Sequence, residues 1–483
     1  MASDSEPIII QGGMGVAVSG WRLARAVSLV GQLGVVSGTA IDVVLARRLQ
    51  LGDVGGHMRR ALAEFPFADA ARRILERFFI PGGKTRDKAF QPVSQLSATP
   101  SSERTELIVA ANFVEAHLAG EGHRGLVGVN YLEKIQLPSL ASLYGAMLAG
   151  VDYVLMGAGI PRWVPGILDR LSAGQAVEMP IQVAGTAPGE TTVLRFDPQA
   201  FGGGPPPALK RPKFLAIVAS ATLASMLTRK ASGRVDGFIV EGPTAGGHNA
   251  PPRGESTFNE RGEPVYGQRD EVDLDAMCAL ERPFWLAGSY GSPERVLDAL
   301  DRGAAGVQVG TAFAFCKESG LRDDLKRRVL AMSRAGVLDV VTDPAASPTG
   351  FPFKVLQLPG SLSDDDAYAQ RQRRCDLGFL RQVFRRADGT LGGRCPAEIV
   401  ASYVKKGGDP DDAHGRKCIC NALMANVGLA QICADGQEEL PLVTCGEEVR
   451  GIASFASSEE VQTYTARDVI NRLLSSVQAR LPC

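Results

Sequence analysis

The sequence predicts an α/β fold centred on a parallel (β/α)8 barrel, and three observations predict it. Eight short runs rich in Val, Ile and Leu recur along the chain, each ending in Gly or a polar turn. Amphipathic helical patterns lie between them. The length, 483 residues, exceeds an ordinary single domain but suits a barrel with insertions. The runs are PIIIQGGMG from Pro7, LGVVSG from Leu33, LVGVNYL from Leu126, YVLMGAG from Tyr153, FLAIVAS from Phe214, GFIVEGP from Gly237, FWLAGS from Phe284 and GVQVGTAF from Gly306. Continuous apolar runs of this kind read as strands buried on both faces. Eight strands close a barrel, and an open doubly wound sheet is the alternative.

Helical patterns separate the runs: SGWRLARAVSLVG, LPSLASLYGAMLAG, ATLASMLTRKAS and SPERVLDALDRG. In the last, Ser292 is placed to cap the helix, Pro293 to open it and Gly303 to end it. Three segments break the alternation. Residues 52–122 read as a charged, largely helical insertion, and residues 180–212, with FGGGPPPALKRP, as a loop or small hairpin. From residue 351 onward helical, cysteine-bearing sequence runs to the end. The expected organisation is therefore a barrel over 1–350, interrupted twice, and a C-terminal helical cap over 351–483.

A hydrophobic content of 45% and a net charge of −1 describe an ordinary globular chain. They give no electrostatic reason to expect nucleic acid or an anionic membrane as partner. The opening MASDSEPIIIQGGMG lacks a basic region and a long apolar run, so a cytoplasmic location is the expectation. Nine cysteines without an export signal argue against a disulfide framework.

Four glycine-bearing stretches are candidates for ligand contact. FWLAGSYGSPER and AAGVQVGTAF end adjacent strands, and backbone N–H groups at such turns suit a phosphate. Gly288, Ser289 and Gly291 would form one jaw, with Gly310 and Thr311 the other. In QGGMG, the lack of side chains at Gly12, Gly13 and Gly15 would let a flat ring approach beside Met14. The fourth, EGPTAGGHNAPPRGE from Glu241 to Glu255, carries His248, one of five histidines, on backbone that can hold neither a long helix nor a strand. Imidazole titrates near neutral pH, so His248 is the candidate for acid–base chemistry. His57, His117, His123 and His414 lie in helical or charged contexts that suit solvated or capping roles.

Taken in order, IIIQGGMG, GVNYL, EGPTAGGH, LAGSYGS and GVQVGTAF resemble the nitronate monooxygenase and flavin-dependent enoyl reductase superfamily over residues 7 to 345. ANFVEAHLA, VNYLEKIQLPSLASLYGAMLAGVDYVLMGAGIP, DPAASPTGFPFK, RCP and GRKCICNALMANVGL resemble its PfaD-type branch, the trans-acting enoyl reductases of polyunsaturated-fatty-acid and polyketide synthases. The resemblance implies an FMN-binding TIM barrel with His248 at the catalytic histidine position. It implies cofactor contacts from Gly13, Met14, Gly15, Asn130, Glu241, Gly246 and Gly247, and phosphate contacts from Gly288, Ser289, Gly310 and Thr311. Two departures stand out: Ser289 replaces a usual glycine, and Pro243-Thr244 stands where many nitronate oxidisers carry an acidic residue. The second weighs against nitronate chemistry.

The implied activity is reduction of α,β-unsaturated acyl-carrier-protein thioesters by NADPH or NADH, with an acyl carrier protein as partner and a homodimer as assembly. The alternatives are a nitronate monooxygenase that oxidises alkyl nitronates with O2, and a flavin-binding scaffold of a synthase complex. Cys375, Cys395, Cys418 and Cys420 lie in polar settings, RRCD, GRCP and RKCIC, and four thiolates can hold Zn2+ or an iron–sulfur cluster. Their CxC and long gaps match no common ligand signature, so reduced, partly buried thiols are the favoured reading.

Overall fold

All eight apolar runs become parallel strands, which we label β1 (Ile9–Gln11), β2 (Gly34–Ser37), β3 (Val127–Leu132), β4 (Tyr153–Gly157), β5 (Lys213–Val218), β6 (Gly237–Glu241), β7 (Phe284–Ala287) and β8 (Gly306–Val309). The structure is a computed structural model and describes residues 6–187, 189–433, 436–458 and 463–480. Each strand lies beside its chain neighbours, and β1 pairs with β8, Ile9 opposite Val307. A parallel bridge between Ile10 and Leu33 joins β1 to β2, with Gln11 N donating to Leu33 O at 3.0 Å. The ring is thereby closed, and the open-sheet alternative is excluded.

The lumen is a packed core. Ile10, Val35, Leu155, Leu215, Ile239 and Trp285 meet inside it, all essentially inaccessible to solvent. Trp285 Nε1 donates to Pro7 O at 2.7 Å, which satisfies its one polar atom near the N-terminal end of the barrel. Burying side chains of this size contributes roughly 1.5–3 kcal/mol each. With that end filled, open space is left at the C-terminal ends of the strands, where (β/α)8 barrels carry their sites.

Among the helices, Pro293–Asp301 begins as predicted, with Ser292 Oγ accepting from Arg295 N at 3.4 Å. The 52–122 segment divides in two. His57–Ala63 and Ala68–Phe78 are additions, whereas the 19-residue helix Ser102–Gly120 packs between Trp21–Ser28 and Ser139–Leu148 as the barrel's own helix before β3. Its apolar residues face several neighbours at once, so it shows no single hydrophobic stripe. The 180–212 excursion is built on the antiparallel pair Val177–Ile181 and Thr192–Phe196, whose first strand starts three residues before it.

The C-terminal segment contains the helices Asp365–Gln370, Val400–Lys405, Ile419–Asn426 and Ala466–Arg480, and the hairpin Gln382–Arg385 with Leu391–Arg394. A second hairpin, Val340–Asp343 with Phe353–Leu356, straddles residue 350, so the barrel and the cap share a covalent and hydrogen-bonded seam there. The last helix, Ala466–Arg480, returns to pack on Pro293–Asp301 and Trp21–Ser28. Ala184 bridges to Phe384, which ties the barrel's excursion to the cap. Among the described residues, no helix is long and apolar enough to cross a membrane.

Candidate functional site

One large cavity occupies the C-terminal mouth of the barrel, and every residue singled out as a ligand or catalytic candidate borders it except Gly291 and three of the cysteines. The strand ends bring them together: Gly13, Met14 and Gly15 follow β1, Asn130 sits on β3, Glu241 on β6, Gly288 and Ser289 follow β7, and Gly310 and Thr311 follow β8. The cap closes the other side with Ile419, Leu423, Asn426 and the loop Val443–Gly446.

The glycines act for different reasons. A Cβ on Gly13 would stand 2.3 Å from Asn130 Cβ, so the bare backbone at Gly13 is what lets Asn130 lie against it, its Nδ2 donating to Gly13 O at 3.2 Å. At Gly246, the clearance expected for a flat ring is taken by the chain itself, because a Cβ there would meet Cys445 C at 2.7 Å and Gly446 N at 2.8 Å. Gly247 has φ +84° and open space where its Cβ would be. Its N–H donates to Thr444 Oγ1 at 3.0 Å.

His248 is held by a partner far along the chain. Lys354 N donates to Gly247 O and Asn249 N to Pro352 O, both at 2.9 Å, so the 343–354 loop supplies the backbone partners that the Pro/Gly-rich stretch cannot make locally. The imidazole stacks edge-on against Phe353, centroids 4.8 Å apart, and its Nε2 lies 2.6 Å from Ser347 Oγ. Burial, and secondarily the charge of Lys134, holds His248 well below the usual histidine range, so the ring is neutral at pH 7. Burial pushes the Glu241 carboxyl up to about 7, opposed by Lys134, and pushes the Lys134 ammonium down to about 8, opposed by Glu133 and Glu241. Lys134 also lies 3.8 Å from the Phe351 ring centroid. Lys134, Ser347 and Thr349 carried no periodic or motif signal of their own, although all three lie inside the segments VNYLEKIQLP and DPAASPTGFPFK.

Three cavity-lining amides, Asn130 and Gln308 of the barrel and Asn426 of the cap, have buried oxygens without a hydrogen-bond partner. Buried acceptors left unpaired are costly, so these oxygens call for a ligand with N–H or O–H donors. At the other end, Gly288 and Ser289 have φ +94° and +59°, a tight turn that exposes backbone to the cavity. Gly446 N donates to Thr311 Oγ1 at 2.9 Å, and Gly291 N donates to Glu448 at 3.2 Å. Burial raises the Glu448 carboxyl above the usual carboxylate range. A planar heterocycle bearing N–H donors and a phosphate therefore fits these residues. Gly288→Ala is expected to cost about 1–3 kcal/mol of stability through backbone strain. Its Cβ would also lie 3.0 Å from Thr244 Oγ1. Urea unfolding checks this, and a variant of unchanged stability rejects the tight-turn requirement.

Cys375, Cys395 and Cys418 pack together with Ala397, while Cys420 is grouped with the core beneath the cap and borders the cavity. Among the described residues, no group of three or more His, Cys, Asp or Glu is arranged to hold a metal ion. The zinc or iron–sulfur expectation therefore has no support in the geometry.

A second chamber adjoins the first and shares Ala158, Ile217, Glu241 and His248 with it. Ile160, Leu223, Pro243, Pro251, Tyr266 and Phe351 give it largely apolar walls, with Lys134, Arg253 and Asp270 among them.

Among family models, that of nitronate monooxygenase matches residues 200–344. No curated protein matches the chain significantly. Among solved structures, the chain is similar to FabK from Thermotoga maritima, at 17% identity over 99% of this chain and 94% of that one, TM-score 0.48. It is similar to nitroalkane oxidase from Streptomyces ansochromogenes, at 16% identity over 99% of each chain, TM-score 0.45. It is also similar to the enoyl reductase domain of MlnA from the macrolactin biosynthesis cluster of Bacillus amyloliquefaciens, at 11% identity over 98% and 95%, TM-score 0.48. The match to the nitronate monooxygenase model, residues 200–344, takes in β5 to β8 with Glu241, His248, Gly288, Ser289, Gly310 and Thr311.

Proposed function

We propose that this protein is an FMN-dependent oxidoreductase that reduces α,β-unsaturated thioesters, presented by an acyl carrier protein, with NADPH or NADH. Its setting would be cytoplasmic polyketide or polyunsaturated-fatty-acid biosynthesis, as the PfaD-type motifs suggest. The observation that carries the reading is the pairing of the two chambers: one has unpaired amide oxygens and the tight Gly288–Ser289 turn, the other is largely apolar, and His248 borders both.

When bound, FMN would supply hydride derived from the nicotinamide cofactor. Gly13, Met14, Gly15, Asn130, Glu241 and Gly247 would border its ring, and Gly288, Ser289, Gly310 and Thr311 its phosphate. The remaining work belongs to the chain. The apolar chamber would hold the acyl segment and exclude water, and a neutral His248 would hold a ring N–H for the substrate α-carbon or the thioester carbonyl. Both effects are stronger in a low-dielectric site.

The family match favours a second reading, oxidation of alkyl nitronates with O2. Anaerobic mixing separates the two. Rapid bleaching of the flavin absorbance by NADPH or NADH, followed by recovery on adding a crotonyl thioester, is expected. Bleaching by alkyl nitronate alone would replace this reading with the monooxygenase. Tight flavin binding with no response to either would leave a scaffold.

A further inference from the structure

The geometry points to a proton relay, Lys134 to Thr349 to Ser347 to His248, that supplies a proton to the ring at Nε2 as Nδ1 gives one to the substrate. This rests on the reading above that His248 exchanges a proton with the substrate.

The links are continuous. Lys134 Nζ donates to Thr349 Oγ1 at 3.5 Å, Thr349 Oγ1 lies 2.8 Å from Ser347 Oγ, and Ser347 Oγ lies 2.6 Å from His248 Nε2. The donor inventory sets the direction. Thr349 N also donates to Ser347 Oγ at 3.2 Å. If Ser347 takes the Thr349 hydroxyl as its second donor, both its acceptor sites are filled, and its single proton goes to His248 Nε2. Lys134 has only protons to give, so Thr349 accepts from it and donates onward. The imidazole is then the Nδ1–H tautomer.

Ser347 is fully buried, and its loop is fixed from two sides. Asp343 Oδ1 accepts from Ala345 N at 2.7 Å and Ala346 N at 2.9 Å, and Arg416 donates to Ser347 O at 2.7 Å. A clamp of this kind on two hydroxyls 2.8 Å apart, one of them 2.6 Å from the His248 ring, suits proton transfer better than surface solvation.

The proton count closes with the ring neutral throughout. The Nδ1 proton forms the new bond to substrate; Nε2 takes the Ser347 proton, Ser347 takes that of Thr349, and Thr349 takes one from Lys134. The ring is left as the Nε2–H tautomer and Lys134 as a neutral amine; once product has left, water protonates Nδ1 while Nε2 returns its proton through Ser347 and Thr349 to Lys134, which restores the starting state. Such a scheme explains how a histidine that stays uncharged can act as an acid. Run in reverse, it carries a proton outward from a base reaction.

The groups facing Lys134 are Glu133, Glu241 and His248, with Arg253 and Asp270 also on the chamber wall. Because burial pushes the ammonium down to about 8, the donor is charged below that pH and lost above it. The flavin-loaded full chain is therefore expected to show an alkaline limb near pH 8 in kcat for crotonyl thioester reduction. Lys134→Met should lower kcat roughly 10- to 100-fold and abolish the limb. Methylamine should restore part of the rate to Lys134→Ala but none to Ser347→Ala.

A readout independent of turnover is 15N NMR of the His248 ring, expected as the Nδ1–H tautomer in the wild type and as a mixture in Ser347→Ala. A limb that persists in Lys134→Met, or a wild-type proton on Nε2, would overturn the relay. If the protein turns over only alkyl nitronate, the enoyl reductase reading fails by itself. The relay is then judged on an acid limb near pH 8, below which a charged Lys134 cannot accept the outgoing proton, together with the NMR tautomer.

Discussion

Under the proposed enoyl reductase activity, His248→Ala is expected to lower thioester turnover by about 10²- to 10⁴-fold while the proposed flavin remains bound. The ring borders both chambers, and its surroundings hold it uncharged. Nothing else at the shared wall offers a neutral N–H: Glu241 is a carboxyl, and Ala158 and Ile217 are apolar. Losing the edge-on contact with Phe353 adds roughly 0.5–1.5 kcal/mol of destabilisation, too little to unfold an ordinary domain. The measurements are single-turnover kinetics and the flavin-to-protein absorbance ratio. Unchanged turnover with full flavin would remove His248 from the chemistry.

Glu439→Ala is expected to destabilise the protein by about 3–5 kcal/mol, the typical consequence of leaving a buried charge without its partner. The Glu439 side chain is 1% accessible and that of Arg371 7%; the guanidinium donates to both carboxylate oxygens, with Nη2 to Oε2 at 2.8 Å. Arg374 donates to the same carboxylate at 3.1 Å. Removing the acid strands two cations beneath the cap. The chain from Leu442 to Gly446 follows directly and lines the core and the cavity, so flavin affinity should fall together with stability. Glu439→Gln, which keeps one acceptor, should cost less. A change below about 1 kcal/mol in urea unfolding would place this pair with exposed ion pairs and reject its anchoring role.

The sequence and the structure agree where the signal is local. A buried strand advertises itself through consecutive Val, Ile and Leu, and a tight turn through glycine, so all eight strands and the glycine-bearing ends were legible. The helix Ser102–Gly120 was read as part of an insertion because it is buried on several sides and lacks a single apolar stripe. The cap was harder still. Its hairpins are short and its loops irregular, and what fixes them is contact with distant chain, as when Phe384 bridges to Ala184 or Arg47 donates to Leu429 O at 2.6 Å.

The same division runs through the site. By itself the sequence determined eight strands whose C-terminal ends a parallel barrel carries to one rim, with the glycines after β1, β7 and β8 and His248 as candidates; Asn130 and Glu241 were named there by the family resemblance. Only the tertiary structure decided what surrounds them. It gave His248 the Ser347 hydroxyl, 99 positions away, and filled the clearance at Gly246 with the Cys445–Gly446 backbone. It also kept the cysteines from any metal-binding arrangement among the described residues. Periodicity records which face of a segment is buried. It does not record which remote loop comes to rest against that face, because such contacts depend on the path of the intervening chain.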